Sequence, residues 1–297
     1  MAIVGSGMYR YEVQADWGKL PQGYEWGQVG AVGIDSQDRV YVFNRSSHPM
    51  MIFDRDGNLL STWGEGQIKQ AHGIYIGNDD SMFIVDRDAH VVMKCTLDGK
   101  VLFTMGNRDK PSDTGFTTES PTVKRAAGPF NLPTDVGMSS HGEIYVSDGY
   151  RNARVHKFSA DGKLLFSWGE PGTGPGQFNL VHSVWEARNG RVYVADRQNG
   201  RIQVFTPNGK YIEHWDGYKQ PCKIYVDRND IMYVAELGSR LTICNLDGTI
   251  FTRIEGNGKR EPGQPLSPHG VWVDSRGDMY VAEVLQSARL QKFIRQR

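Results

Sequence analysis

Three histidines occupy the same position in alternate copies of an internal repeat. His72, His182 and His269 each begin a short apolar segment: His-Gly-Ile-Tyr-Ile, His-Ser-Val-Trp-Glu and His-Gly-Val-Trp-Val-Asp. In the intervening copies this position, here called the slot, holds Gly30, Thr134 and Cys222. If six copies close into a ring, every second copy directs an imidazole toward the ring axis. Three neutral imidazoles with an open fourth position are a ligand set of catalytic zinc, so the spacing predicts a three-histidine metal site.

The repeat that must position these histidines consists of four short strands. In residues 134–169, four alternating or apolar runs are separated by turns of the His-Gly, Asn and Asp-Gly type. The second strand recurs as Val40-Tyr-Val-Phe, Met82-Phe-Ile-Val-Asp, Ile144-Tyr-Val-Ser-Asp, Val192-Tyr-Val-Ala-Asp, Met232-Tyr-Val-Ala-Glu and Met279-Tyr-Val-Ala-Glu. Copies at a period of roughly 40 residues predict an all-β, six-bladed β-propeller with four antiparallel strands per blade.

The two ends of the chain predict how the ring closes. The sixth copy stops after its third strand, Arg289-Leu-Gln-Lys-Phe293, while Tyr9 to Gly18 resembles a fourth strand such as Leu164 to Gly169. We therefore expect the N-terminal strand to complete the last blade. On this interpretation residues 1–297 form a single propeller domain.

Composition limits the kinds of binding partner and the cellular compartment that we expect for this protein. Lys+Arg and Asp+Glu balance at 34 each, so no basic field attracts nucleic acid, and no run is apolar enough to span a membrane. The N-terminal residues lack the basic start and long apolar core of a secretory signal. Cys95, Cys222 and Cys244 are odd in number and lack metal-type spacing. We expect a cytoplasmic protein that binds neither nucleic acid nor a membrane.

The polar residues that could form a functional site are predicted to lie at one end of the channel. The first strand starts at the same end where the second strand finishes, so the slots and the turns after the second strands lie together. These turns carry Arg45, Arg87, Tyr150 and Arg197. The long links between blades, 64–71, 106–132, 169–181 and 256–268, lie at this end as well. Sites are commonly built from such loops on a rigid scaffold, whereas the opposite end has short turns and no predicted site.

Three stretches go beyond the general repeat. Tyr145-Val-Ser-Asp-Gly-Tyr-Arg-Asn-Ala-Arg154, Val194-Ala-Asp-Arg-Gln-Asn-Gly-Arg-Ile-Gln203 and Val42-Phe-Asn-Arg45 resemble the peptidyl-α-hydroxyglycine α-amidating lyase domain, an NHL-type six-bladed propeller. The resemblance covers nearly the whole chain. It implies that His72, His182 and His269 are zinc ligands, that Tyr150 is the catalytic tyrosine, and that Arg45 and Arg197 are active-site arginines.

The chain also departs from that family. The cysteine that follows the catalytic tyrosine in the family is Arg151 here, so its disulfide is absent. The resemblance implies calcium in the channel, on the backbone carbonyls of Val32 and Ile74, but the acidic calcium ligand falls at Gly270 and the site is incomplete. These departures favour a cytoplasmic relative that acts on a smaller substrate.

Several candidates also have a purely structural interpretation. A single histidine at the head of a strand can simply fill the channel mouth, and Arg87, which lacks a family match, is expected to pair with a neighbouring carboxylate. Cys222 is expected to be a buried thiol rather than a fourth ligand. Surface or packing roles are predicted for His48, His90, His141, His156 and His214. Packing between blades is predicted for Trp63, Trp168 and Trp215.

The implied activity is a metal-dependent carbon–nitrogen lyase. It would cleave a carbinolamide of the α-hydroxyglycine type to an amide and glyoxylate or a related oxo acid, with Tyr150 taking the hydroxyl proton and Arg45 or Arg197 holding the carboxylate. Two other classes stay open. Metal-dependent propeller hydrolases or lactonases typically use Glu, Asn and Asp ligands, which the three-histidine set does not match. A non-enzymatic NHL-type binding scaffold would need no metal on the axis.

Overall fold

The repeats fold into antiparallel sheets arranged around a channel. The computed structural model of the chain describes residues 2–296. Its first strands are β1 (Ile3–Ser6), β2 (Tyr9–Gln14), β3 (Gln28–Ile34), β4 (Val40–Arg45), β5 (Met50–Phe53), β6 (Leu59–Trp63), β7 (Ala71–Ile76), β8 (Met82–Asp86), β9 (Val91–Cys95), β10 (Val101–Gly106), β11 (Pro133–Met138), β12 (Ile144–Asp148), β13 (Arg154–Phe158) and β14 (Leu164–Trp168). The later strands are β15 (Glu170–Pro171), β16 (Gln177–Phe178), β17 (Val181–Glu186), β18 (Val192–Asp196), β19 (Arg201–Phe205), β20 (Tyr211–Trp215), β21 (Pro221–Val226), β22 (Met232–Glu236), β23 (Arg240–Cys244), β24 (Ile250–Glu255), β25 (Pro268–Val273), β26 (Met279–Glu283) and β27 (Arg289–Arg295).

These strands form six blades, as the repeat predicts. Blades 1 to 5 are the sheets β3–β6, β7–β10, β11–β14, β17–β20 and β21–β24, each in sequence order. Blade 6 has the order β25, β26, β27, β2 and β1, with β2 antiparallel to β27. The predicted closure by the N-terminal strand is therefore confirmed. The outermost strand β1 is an addition that the sequence did not predict.

The first strand of each blade is the innermost, and it carries an irregularity at the slot. In β17, Val181 pairs with Asp196 and Ser183 with Ala195, so His182 between them is an extra residue. The same shift in register brackets the slot in β3, β7, β11, β21 and β25. A β-bulge re-aims the side chain of the extra residue. The slot is therefore the bulge position of every first strand.

Aromatic side chains hold neighbouring blades together. The second position of each second strand is aromatic and fully buried: Tyr41, Phe83, Tyr145, Tyr193, Tyr233 and Tyr280. At the outer edge, the Trp63 ring packs on Gly99 in the turn of the next blade, where a Cβ would lie 2.5 Å from the indole. Trp168 and Trp215 pack on Gly209 and Gly248 in the same way. The prediction that these tryptophans pack between blades is confirmed.

The two ends of the channel differ in their loops. At the end where the first strands begin, the links between blades are long, and one contains the short parallel pair β15–β16. At the other end, adjacent turns are joined around the ring, for example by Ser36 bonded to Asp80 and Ser275 bonded to Asp38. Within residues 2–296 no helix is long and apolar enough to cross a membrane.

Candidate metal centre

The bulges direct three imidazoles to one point on the channel axis. His72, His182 and His269 come from blades 2, 4 and 6, and all three are buried. One ligand atom from each lies within 4.8 Å of the others. The three ring centroids are 4.8 to 5.1 Å apart. The structure thus assembles the predicted three-histidine cluster.

Backbone carbonyls of the other three slots fix the orientation of the imidazoles. The Nδ1 atoms of His72, His182 and His269 donate to the carbonyl oxygens of Thr134, Cys222 and Gly30, at 2.6, 2.8 and 2.6 Å. Because a carbonyl only accepts, each Nδ1 carries the proton and each Nε2 keeps its lone pair. Such a partner on the non-ligating nitrogen is the usual support of a metal-binding histidine.

Burial favours the neutral form of the three imidazoles, which is the form that can bind a cation. Burial is the main cause that lowers the pKa of His72 well below its ordinary value, and the neighbouring His269 and His182 lower it further. Burial likewise lowers the pKa of His182 and of His269. The Nε2 atom of His269 is buried without a hydrogen-bond partner. A buried lone pair without a partner is costly, and a shared divalent ion would satisfy it. The residues present therefore fit the implied metal.

Tyr150 places its hydroxyl at this cluster. The hydroxyl oxygen lies 3.1 Å from Nε2 of His72 and 3.3 Å from Nε2 of His182. Tyr150 belongs to blade 3, between the blades that supply these two histidines. Its ring stands edge-on to both imidazoles, at centroid distances of 5.2 and 5.6 Å. The one hydroxyl proton can be donated to either of these two histidines.

Two arginines border the cluster with part of their hydrogen-bonding capacity unused. Arg45 donates through Nε to the carbonyl of Ala71 at 3.0 Å and through Nη1 to Gln28 at 2.9 Å, while its Nη2 is buried without a partner. Arg197 donates through Nη1 to the Tyr150 hydroxyl at 3.5 Å, and its Nε is buried without a partner. Neither guanidinium pairs with a carboxylate within residues 2–296. This arrangement suits an anionic substrate group.

Arg87 is a third guanidinium at the site, although only pairing with a carboxylate was expected of it. Its Nε donates to Asp88 at 2.7 Å, as that interpretation expects. In addition, its guanidinium lies 5.1 Å from the centroid of the Tyr150 ring, while that of Arg197 lies 5.4 Å away. Its place in the repeat could have indicated a role at the site, because Arg45, Arg87 and Arg197 each end a second strand or directly follow one.

A buried ion pair joins two inner strands directly after their slots, Lys223 on β21 and Asp135 on β11. The Lys223 ammonium donates to both oxygens of Asp135, at 2.9 and 2.8 Å, and to the carbonyl of Ile74 at 3.3 Å. Ser183 donates a further bond to Asp135 at 2.6 Å. The two charged side chains are each only 4% exposed.

This ion pair occupies part of the calcium site that the resemblance implies at the carbonyls of Val32 and Ile74. The carbonyl of Ile74 already accepts from Lys223, and Gly270 offers no carboxylate. Asp135, the acidic group beside this carbonyl, is neutralised by the same ammonium. A divalent cation next to a buried ammonium would meet like-charge repulsion. The residues present do not fit calcium, and the ammonium group of Lys223 takes its place on Ile74.

The remaining histidines and Cys222 lie outside the cluster. His156 is buried between Ser167 and Asp148, and Nδ1 of His90 accepts from the Leu132 amide. His48 and His214 are bonded to carboxylates or neighbouring rings near the surface, and His141 is exposed. The Cys222 thiol is buried, which raises its pKa to about 11, and it is not part of the ligand group. These observations agree with the predicted surface, packing and buried-thiol roles.

The opposite end of the channel contains a feature that the sequence did not predict. A recess of about 1230 Å³ lies between the short turns there. Its floor includes the aromatic side chains of Tyr75, Trp185, Tyr225 and Trp272. Among the described residues, the group that could hold a metal is the histidine cluster, and it does not line this recess. The candidate site is therefore identified by its metal-ligand and acid–base side chains and not by the volume of a cavity.

Comparison with known proteins finds relatives in sequence and structures of similar fold. A family model described as NHL repeat matches residues 130–158, which include Tyr150. NHL repeat-containing protein 3 from Homo sapiens is 29% identical over 311 residues, covering 96% of this chain and 84% of that protein. Peptidyl-glycine alpha-amidating monooxygenase from Mus musculus is 45% identical over 87 residues, covering 27% of this chain and 9% of that protein. Peptidyl-alpha-hydroxyglycine alpha-amidating lyase 1 from Drosophila melanogaster is 27% identical over 195 residues, covering 56% and 35%.

Solved structures share the architecture at low identity. Virginiamycin B lyase from Staphylococcus aureus superposes with a TM-score of 0.61 at 14% identity, covering 97% of this chain and 89% of that chain. A gluconolactonase from Xanthomonas campestris gives 0.64 at 13% identity, covering 91% and 87%. At this identity the likeness shows the propeller fold alone. Taken with the sequence relatives, the chain is a propeller that is similar to NHL repeat-containing protein 3 over most of its length and to the α-amidating lyases over part of it.

Proposed function

We propose that this protein is a metal-dependent lyase that cleaves the carbon–nitrogen bond of an α-hydroxyglycine-type carbinolamide. The products would be an amide and glyoxylate or a related oxo acid. The observation that carries the proposal is the position of the Tyr150 hydroxyl, 3.1 and 3.3 Å from Nε2 of His72 and His182. A proton acceptor next to a three-imidazole metal site is what this reaction requires.

The reaction moves one proton from oxygen to nitrogen. In the substrate R–CO–NH–CH(OH)–COO⁻, the hydroxyl loses its proton, its electron pair forms the C=O bond of glyoxylate, and the C–N bond breaks. The departing nitrogen takes up a proton and leaves as R–CO–NH₂, so no oxidant or reductant is needed. In its deprotonated form, Tyr150 would accept the hydroxyl proton and return it to the nitrogen.

The histidine cluster would hold the metal. His72, His182 and His269 present three neutral nitrogen donors, a set that suits zinc and also other divalent transition metals. When bound, such an ion supplies Lewis-acid polarisation of the substrate hydroxyl. The hydrogen bonds from Nδ1 to the slot carbonyls keep the three rings fixed, so that the donors do not have to reorganise on binding.

The arginines would bind the substrate carboxylate. Arg45 and Arg197 each have a buried nitrogen without a partner and no carboxylate neighbour within the described residues. A guanidinium binds a carboxylate through two parallel hydrogen bonds, which also fixes the direction of the adjoining carbon. The substrate would thus be a small molecule that carries both a carbinolamide and a carboxylate, with its hydroxyl directed toward Tyr150.

Two measurements test the proposal. The first is the metal content of the purified protein, which should be about one divalent ion per chain. The second is the release of glyoxylate from an N-acyl-α-hydroxyglycine, with the matching N-acylglycine as a control that lacks the hydroxyl. Glyoxylate release from the first compound alone supports the lyase.

The same measurements separate the alternatives. A metal-containing protein that releases no glyoxylate but opens esters or lactones would be a hydrolase. A protein without metal and without either activity would be a binding scaffold. Either outcome would contradict the lyase proposal.

A further inference from the structure

Tyr150 lies between two blades that contribute equivalent pairs of residues. Blade 2 supplies His72 and Arg87, and blade 4 supplies His182 and Arg197. Each histidine approaches the Tyr150 hydroxyl, and each guanidinium lies over the Tyr150 ring, at 5.1 Å for Arg87 and 5.4 Å for Arg197. The surroundings of the ring are therefore nearly symmetric about blade 3.

The two guanidinium groups differ in their counter-charge. Arg87 is followed by Asp88 and donates to it through Nε at 2.7 Å, so its charge is balanced within the turn. Arg197 is followed by Gln198 and has no carboxylate partner within residues 2–296; its Nε is buried without any partner. Within the described residues, therefore, the charge of Arg87 is balanced by a carboxylate and that of Arg197 is not.

Hydrogen bonds also hold the backbone and the side chain of Arg87 in one position. Its backbone amide donates to the carbonyl of Gln70 at 3.1 Å, and its carbonyl accepts from the amide of His90 at 3.1 Å. The turn is therefore held on both sides, and the Asp88 bond sets the direction of the guanidinium. A cation held over an aromatic face is attracted by the ring and restricts its motion.

From this geometry we propose that Arg87 is a positioning residue for Tyr150. It holds the ring from the side of blade 2, so that the hydroxyl stays between the Nε2 atoms of His72 and His182. It does not bind the substrate carboxylate, which is left to Arg45 and Arg197. The inference rests on the proposed function for its kinetic consequence, but the orientation of the ring can be measured without activity.

The kinetic test uses Arg87→Ala and Arg87→Lys. Arg87→Ala should lower kcat roughly 3- to 30-fold, the range that corresponds to one cation–π contact, and should leave KM within about twofold. Arg87→Lys should recover part of the loss, since an ammonium can also lie over the ring. Arg188→Ala removes an arginine that is likewise paired with an aspartate, Asp230, but at the other end of the channel, and it should not change kcat.

A double-mutant cycle decides whether Arg87 acts through the tyrosine. In a Tyr150→Phe background, Arg87→Ala should cause no further loss in kcat, because the hydroxyl that it positions is gone. Additive losses would overturn the proposal. A rise in KM with unchanged kcat would also overturn it, because Arg87 would then bind substrate directly.

A measurement without substrate keeps this inference separate from the proposed function. In protein with ¹³C-labelled tyrosine rings, the Tyr150 signal is identified as the one missing in Tyr150→Phe. Arg87→Ala should shift this signal and increase the rate of ring flips, while Arg188→Ala should leave it unchanged. An unchanged signal in Arg87→Ala overturns the positioning role, whereas failure of the wild-type protein to release glyoxylate would count against the lyase only.

Discussion

Nδ1 of His269 in blade 6 donates a 2.6 Å hydrogen bond to the carbonyl oxygen of Gly30 in blade 1. This bond joins the first strands of the last and first blades, 239 positions apart in the chain, so the orientation of the third imidazole depends on a closed ring. His72 and His182 make the corresponding bonds to Thr134 and Cys222. The three slots without histidine are thus the acceptors for the three slots with histidine. Gly30 fits here because a Cβ would lie 2.7 Å from the carbonyl oxygen of Ala71.

The first prediction concerns the metal. His182→Ala removes one of three donors and should lower metal affinity by at least about 100-fold, more than the loss of an outer partner usually costs. Activity should fall with the metal content. The fold should persist, because the imidazole points into the channel rather than into the core of a blade. Metal analysis and circular dichroism measure both quantities, and exposed His141→Ala is the control. A full metal content in His182→Ala would show that the cluster is not the site.

The second prediction concerns Tyr150. Tyr150→Phe removes only the hydroxyl and keeps the ring, so kcat should fall by roughly two to four orders of magnitude, the usual scale for a lost general base. The metal content should remain full, because the three histidines are untouched. Steady-state kinetics with metal analysis tests this, with Tyr211→Phe on an outer strand as the matched control. Wild-type turnover in Tyr150→Phe would make the tyrosine a packing residue.

The third prediction separates the arginines from the tyrosine. Arg45→Ala or Arg197→Ala removes a charged hydrogen-bond donor for the carboxylate and should raise KM by roughly ten- to a hundredfold. These variants should also discriminate less between substrates with and without a carboxylate. Initial rates with both kinds of substrate measure the effect. The control is Arg191→Ala, which removes a partly exposed pair with Glu213. An unchanged KM in both variants would exclude them as carboxylate anchors.

The fourth prediction concerns the buried pair of Lys223 and Asp135. Lys223→Met leaves the Asp135 carboxylate buried without its cation and should lower the free energy of unfolding by about 3–5 kcal/mol. Adding Asp135→Asn should restore more than half of the loss, since no charge then stays unpaired. Thermal or denaturant unfolding measures both variants. Neither calcium nor a chelator should change the stability of the wild-type protein, and stabilisation by calcium would contradict the replacement of the ion by Lys223.

The same variant has a predictable dependence on pH. Burial is the main cause that raises the pKa of Asp135, and Lys223 opposes this effect. Removing the ammonium should raise the pKa of Asp135 further above the value of about 3.9 in the unfolded chain. The folded variant then binds its proton more tightly than the unfolded chain does, so stability is lost as pH rises through this interval. Lys223→Met should therefore be less destabilised near pH 5 than near pH 8; an equal loss at both would exclude this explanation.

The sequence by itself determined the repeat, the number of blades and the set of residues that meet at one end of the channel. Turn pairs and an aromatic residue in each second strand recur from copy to copy, and a ring places equivalent positions at equivalent heights. The repeat therefore groups His72, His182 and His269 from the sequence alone. Position in the repeat likewise placed Tyr150, Arg45 and Arg197 at the same end.

Only the tertiary structure decided which atoms of those residues face one another. The bulge at each slot, the Nδ1 bonds to the carbonyls of Gly30, Thr134 and Cys222, and the extra strand β1 depend on backbone register between strands, which side-chain periodicity does not encode. The contact of Lys223 with Ile74 joins residues 149 positions apart. The place of Arg87 over Tyr150 joins two blades through side-chain rotamers. Such contacts form only when separate blades close around a common axis. The repeat therefore predicts which residues lie together at one end of the channel, but not which of their atoms form hydrogen bonds or ring contacts.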